Sequence, residues 1–128
     1  MEFISENLGV NTEGNLTIGK IDTVELAKEY GTPLYIMDED LIRKNARIYK
    51  NAIEKCYGEK NGLILYASKA FCTLSSCRLA KEEGLGLDVV SGGELYTALK
   101  AGFPTDKIYF HGNNKSEAEL IWQWKTMS

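Results

Sequence analysis

Lys69 stands where an amine could act as a nucleophile. It follows the apolar run Leu63-Ile-Leu-Tyr-Ala67, within Tyr66-Ala-Ser-Lys69-Ala-Phe71. Side chains at the C-terminal end of such a strand face the mouth of an α/β sheet or barrel, where ligands bind. Apolar neighbours disfavour an ammonium and favour the free amine, which can form a Schiff base with a carbonyl compound. The competing reading is a lysine at a strand end whose head reaches solvent. Asp88 lies between Leu87 and Val89 in the next apolar run. A carboxylate there needs a partner, because burying an isolated charge is costly; Lys69, one strand over, is a candidate, and loop amides are the alternative. His111, the only histidine, ends a further strand in Phe110-His-Gly-Asn-Asn-Lys115. It is either part of the same mouth or a hydrogen-bonded loop residue. Ser91-Gly-Gly-Glu94 opens a helix after a strand. Its amides could take an anion such as phosphate, but Ser-x-x-Glu is also a capping box that satisfies the helix's own amides. Gly84-x-Gly86 precedes its strand, which rejects a dinucleotide-binding fingerprint, and no serine sits on a nucleophile elbow.

The elements that must carry these residues alternate. Asn15 to Ile21 alternates apolar and polar residues as a half-buried strand does. Asp22 or Thr23 caps a short helix from Val24 to Tyr30 that Gly31 stops. Pro33 to Met37 is a second strand candidate. Asp38 then caps a helix running to Tyr57, with Glu39 and Asp40 in its first turn and Leu41, Ile42, Ile48, Tyr49 and Ile53 directed to the core. Leu63–Ala67 reads as a parallel strand buried on both faces. A helix over Thr73–Glu83, a strand Leu87–Val90, a helix to Lys100, a strand Lys107–Phe110 and a helix begun by Ser116 and Glu119 follow. This β-α-β-α-β order implies right-handed crossovers and a parallel sheet. It fits an open doubly wound sheet or part of a (β/α)₈ barrel. With 128 residues, a complete barrel of ~250 residues is excluded, and at most four of its strands fit.

Composition narrows the partners. Hydrophobic residues at 44% and charged residues at 26% are those of a soluble globular domain. A formal charge of −3 without a basic block argues against nucleic acid. No apolar run approaches the ~20 residues of a membrane span, and the first residues lack the basic start of a signal peptide. Cys56, Cys72 and Cys77 have no C-x-x-C spacing and read as reduced packing thiols in a cytoplasmic protein. Four zinc ligands at workable spacing are missing.

Taken together, Gly31-Thr-Pro-Leu-Tyr35, Tyr66-Ala-Ser-Lys-Ala70, Gly86-Leu-Asp-Val-Val-Ser-Gly-Gly-Glu-Leu95 and Phe110-His-Gly-Asn-Asn-Lys115 resemble the diaminopimelate decarboxylases. These are pyridoxal-phosphate enzymes built on an alanine-racemase-like barrel. The resemblance runs from Leu16 to Leu120 and corresponds to the family's amino-terminal third. It implies a partial (β/α)₈ barrel over residues 23–120, and a segment 1–22 whose strand joins a carboxyl-terminal β domain. It implies pyridoxal 5'-phosphate held covalently by Lys69, with Ala67, Asp88 and His111 beside it. The implied substrate is meso-diaminopimelate, decarboxylated to L-lysine, and the implied assembly is a homodimer.

The same resemblance implies what this chain lacks. The family's glycine-rich phosphate loop, the glutamate that pairs with the pyridine nitrogen and the carboxyl-terminal β domain fall outside it. The chain alone is therefore expected to be poorly soluble, since open strand edges and bare apolar faces invite association, and catalytically inactive. Residues 121–128, Ile-Trp-Gln-Trp-Lys-Thr-Met-Ser, depart from the family's pattern. Back-translated with AUA for Ile121 and CAG for Gln123 and read one base earlier, they spell M-A-V-E-D-N-V after one undetermined residue. A single-base deletion near codon 121 explains this; a genuine short carboxyl terminus is the alternative. Two other readings compete with the decarboxylase: a non-catalytic remnant or interaction module, and a related pyridoxal-phosphate decarboxylase or racemase with another amino-acid substrate.

Overall fold

The computed structural model describes residues 3–127. They form two compact units, divided between Asn45 and Ala46, inside a helix.

In the first unit, β1 (Leu8–Val10), β2 (Leu16–Ile18) and β3 (Ile21–Asp22) make an antiparallel sheet in that order. The single strand expected over 15–21 is instead a hairpin. Ile18 pairs with Ile21, and Gly19 and Lys20 between them have φ of 57° and 70°. Two left-handed residues in a two-residue loop are the combination that matches strand twist. Asp22 then caps α1 (Thr23–Tyr30), its Oδ1 accepting the Val24 amide at 2.7 Å. Gly31, at φ 81°, ends the helix. The side-chain amide of Asn15, acting with the Val24 amide and Asn11, holds the Asp22 carboxyl below its ordinary value despite some desolvation.

Pro33 to Met37 does not become a strand. The segment bends at Thr32 and Pro33 and joins no ladder, and Tyr35 is 95% exposed. Apolar composition supplies strand propensity, whereas a strand also needs a neighbour. Asp38 caps α2 (Glu39–Tyr57) as expected, its Oδ1 accepting the Leu41 amide at 3.1 Å. No residue of α2 is buried, however, and Ile48 and Tyr49 are 54% and 65% exposed. Periodicity sets an apolar stripe on a helix, but burial requires a facing surface.

The second unit contains β4 (Leu65–Ala67), α3 (Leu74–Glu82), β5 (Gly86–Val89), α4 (Gly92–Lys100), β6 (Ile108–Phe110) and α5 (Glu117–Met127). The three strands form a parallel sheet in chain order, with Ala67 beside Asp88 and Val89 beside Phe110. Thr73 and Ser76 form a capping box on α3, and Ser91 caps α4. Leu87, Val89 and Ile108 point from the sheet into a core with Cys77 and Ala80 of α3 and Leu95 and Ala98 of α4. Trp122 of α5 packs on the same core, its ring centroid 6.5 Å from that of Tyr96. The helix after each strand thus lies on one face of the sheet. A doubly wound sheet covers both faces, whereas a barrel covers only the outer one, so the unit is a segment of a (β/α)₈ barrel.

Leu65, Ala67, Gly86, Asp88 and Tyr109 lie on the opposite, inner face, because paired residues in a parallel ladder point the same way. The two-sided burial expected of Leu63–Ala67 is therefore corrected. Leu63 and Leu65 stand exposed, because no described element covers that face. Cysteine placement also departs from expectation at one position. Cys77 is buried and Cys72 half-buried, but Cys56 is exposed and packs no core.

Candidate functional site

β4, β5 and β6 end side by side; Asp88 lies within β5, and Lys69 and His111 stand on the connections that follow β4 and β6. After Ala67 the chain makes a tight 3-10 turn over Ser68–Ala70. Ser68 is fully buried, and its one hydroxyl proton faces both the Asp88 carbonyl and Glu94 Oε1, each at 2.9 Å. The Tyr66 hydroxyl donates to the Phe71 carbonyl at 2.7 Å, and Ser76 Oγ donates to the same oxygen at 3.0 Å. Burial pushes the Tyr66 hydroxyl above its ordinary pKa, with the neighbouring Cys72 and Cys77 adding to the effect, so it remains a donor. The turn is fixed at both ends and the Lys69 side chain stands exposed between them.

Asp88 is the polar residue of the inner face. Its Oδ1 is buried and has no hydrogen-bond partner among the described residues. An oxygen buried without a donor costs about 1–3 kcal/mol, which marks it as a group built to receive one. The expected Lys69–Asp88 pair does not form among the described residues. Lys69 lies two positions beyond the Ala67–Asp88 pairing, on a turn that leaves its amine exposed, while the carboxylate oxygen is enclosed. The apolar enclosure expected around Lys69 is likewise absent from its described surroundings.

Ser91 to Glu94 caps a helix and is not an open anion cradle. Ser91 Oγ accepts the Glu94 amide at 3.3 Å, and Glu94 Oε2 accepts the Val90 amide at 3.0 Å and the Ser91 hydroxyl at 2.8 Å. Burial alone would raise the Glu94 carboxyl, but these donors and Ser68 outweigh it and hold the pKa below its ordinary value. Glu94 therefore stays ionised and ties the end of β4 to the loop after β5. Sequence reading found its capping role; Ser68 as the second anchor was missed, because nothing local marks a serine that bonds a neighbouring strand.

His111 extends the β6 ladder, its amide donating to the Val89 carbonyl at 2.9 Å, while its side chain is exposed. Gly112 follows at φ 128°, a conformation that side chains rarely adopt. Lys115 folds back, with Nζ donating to the Gly112 carbonyl at 2.8 Å and lying 5.1 Å from the Phe110 ring centre. The loop closes at Ser116, whose amide and hydroxyl both donate to Glu119 Oε2 at 2.8 Å. The rim thus brings together an exposed primary amine, an unsatisfied carboxylate and an imidazole over an open sheet face. That set can condense with a carbonyl and bind a hydrogen-bonding ring beside it.

Residues 39–124 match the family model described as pyridoxal-dependent decarboxylase, pyridoxal binding domain. A diaminopimelate decarboxylase of Bacillus methanolicus is 62% identical over 111 residues, which cover 87% of this chain and 25% of that protein. That of Bacillus subtilis is 56% identical over 110 residues, with 86% and 25% covered. Among solved structures, the diaminopimelate decarboxylase of M. jannaschii in complex with L-lysine superposes with a TM-score of 0.78 at 38% identity, covering 94% of this chain and 28% of the other. The chain spans about a quarter of the length of the curated relatives it matches.

Proposed function

The chain belongs to the pyridoxal-dependent decarboxylases through their pyridoxal-binding domain, and from that premise we propose that it supplies the lysine-bearing part of a diaminopimelate decarboxylase, which converts meso-diaminopimelate to L-lysine and carbon dioxide. The observation that carries the reading is that an exposed Lys69 amine and the orphaned Asp88 oxygen occur on neighbouring strand ends of one sheet without bonding each other. Pyridoxal phosphate fits these residues: its aldehyde suits the amine, and a donor on or near its ring suits the carboxylate.

The cofactor, when bound, supplies an electron sink for the pair left on carbon as carbon dioxide departs. Lys69 binds it, and Nζ must shed a proton before it can attack a carbonyl. Asp88 Oδ1, which has no partner of its own among the described residues, would accept a hydrogen bond from the bound group. Ala67, on the same inner face, is small enough to leave room above the sheet. His111, the residue immediately after β6, would stand beside the bound group. Ser68 and Glu94 hold the backbone of the Lys69 turn against β5 and the loop after it, which keeps the base of the lysine side chain beside Asp88.

The proposal extends to the chain's organisation. Residues 1–22 contribute a strand to a later β domain, 23–120 form the partial barrel, and 121–128 are an aberrant tail that the nucleotide sequence across codons 118–140 would reveal as a frameshift. The complete enzyme is a cytoplasmic homodimer that takes meso-diaminopimelate and no nucleic acid. No described helix is long and apolar enough to cross a membrane.

A chimera tests it. Residues 16–120 replace the matching segment of the Bacillus methanolicus enzyme, and carbon dioxide release from meso-diaminopimelate is measured. Activity is expected, with none from the Lys69→Ala chimera. Borohydride reduction followed by peptide mapping should add the cofactor's mass at Lys69. A folded, cofactor-loaded chimera that retains activity after Lys69→Ala would overturn the assignment.

A further inference from the structure

One carboxylate outside the motifs already used joins two of the three rim loops. Glu119 Oε2 accepts the Ser116 amide and hydroxyl, both at 2.8 Å, and the Glu119 amide donates to Ser116 Oγ at 3.2 Å. That is an ordinary capping box at the start of α5. Its other oxygen is not spent locally. Glu119 Oε1 accepts the Gly92 amide at 2.9 Å, across 27 residues of chain.

Gly92 is the first residue of α4, and its amide has no partner within that helix. A single carboxylate thus accepts one backbone amide at the start of each of two helices. The contact is also close: a Cβ at Gly92 would lie 3.1 Å from Glu119 Oε1 and 3.3 Å from its Cγ. The amides of Ser116 and Gly92 hold the Glu119 carboxyl below its ordinary pKa, so the link is charge-assisted at neutral pH.

The segment between these anchors is the loop that carries His111. At its start the His111 amide is fixed to the Val89 carbonyl, and at its end Ser116 is fixed through Glu119 to Gly92. Both anchors lead to the β5–α4 connection, the one that follows Asp88. We infer that Glu119 is a positioning residue, which through Gly92 holds the His111 loop against the cofactor rim. This rests on the proposed site, and it adds a residue that touches neither cofactor nor substrate.

Glu119→Asp separates the two jobs of the side chain. An aspartate can still cap Ser116 but is one methylene too short to reach Gly92. Gly92→Ala attacks the same contact from the other side. Both are made in the full chain and compared with the unchanged protein by amide exchange at Gly92 and at residues 111–116, and by proton NMR of the ring. His111 is the only histidine, so its ring signal reports this loop alone. The third readout is the pyridoxal phosphate concentration that half-saturates borohydride-fixed label at Lys69. Losing one charge-assisted hydrogen bond corresponds to about tenfold. Exchange at Gly92 and across the loop should therefore quicken about tenfold in Glu119→Asp, with a displaced ring signal and a several-fold weaker half-saturation, while exchange within β5 stays unchanged. Unchanged exchange at Gly92 and an unchanged ring signal would overturn the inference, as would a loop freed in both variants with half-saturation unaltered. This third readout is taken in the chimera of residues 16–120: if the unchanged chimera takes no label at Lys69, the cofactor site is what fails, and with it any role for Glu119 toward the cofactor. If label appears but does not respond to the variants, only Glu119 is dismissed.

Discussion

Replacing Ser68 with alanine removes a hydroxyl that is fully buried between the Asp88 carbonyl and Glu94 Oε1. A hydrogen bond to a charged group contributes about 1.5–3 kcal/mol. Glu94 is half-buried, so water can replace part of the lost contact and the lower end applies. The expected cost is about 1.5 kcal/mol at pH 7, roughly tenfold in the unfolding constant. Its pH dependence carries a sign. The Glu94 pKa lies below its ordinary 4.5 in the folded chain, so its stabilisation is present above that value and is lost as pH falls through the folded one. Without Ser68 the folded value moves back toward 4.5, leaving less to lose in acid. The gap between parent and variant should therefore narrow below about pH 4, though not close, because the Asp88 carbonyl still favours Ser68. Urea unfolding followed by tryptophan emission measures it, since Trp122 packs on the core. A gap under about 0.5 kcal/mol at pH 7, or one constant from pH 7 to pH 3, would refute the clamp.

Two further outcomes follow from the packing. Gly86→Ala should cost about 1–3 kcal/mol in the same urea assay. Its Cβ would meet Leu65 Cδ2 at 2.5 Å and Leu63 Cδ2 and the Lys107 carbonyl at 3.0 Å; the leucines can turn, but the backbone oxygen cannot, and a neutral result would dispute the β4–β5–β6 spacing. Burial, reinforced by Cys72, pushes the Cys77 thiol up to about 12. A maleimide at pH 8 should thus modify exposed Cys56 first and leave Cys77 untouched until the chain unfolds; mass mapping that finds Cys77 labelled as fast as Cys56 would contradict the packed core.

What could be read in advance follows from the range of each interaction. Asp22, Gly31, Asp38, Thr73 and Ser91 mark helix ends by bonding their own chain neighbours, so α1 to α4 were legible from local residue types. Lys69, Asp88 and His111 were legible as a group because each closes or interrupts an apolar run, and strand ends in a parallel sheet gather at one rim. Partners contributed by distant residues were not legible. β1 was missed because Leu8–Val10 shows no long alternation. Pro33–Met37 and the outward Ile48 and Tyr49 have the right character but lack a described surface to meet. The same holds for Ser68 and for Glu119, whose tertiary bonds cross 26 and 27 residues.

The buried core is drawn from positions 77 to 108, while the inner face with Leu63, Leu65 and Tyr109 is left bare. Barrel assembly is thereby divided in time. Contacts so near in sequence close early and cheaply, and a growing chain orders its first-made segments first. As synthesis proceeds, the helix-side layer can set once β6 has emerged. The inner face stays open to whatever pairs with it later, and the rim with Lys69, Asp88 and His111 is laid out by three strands alone.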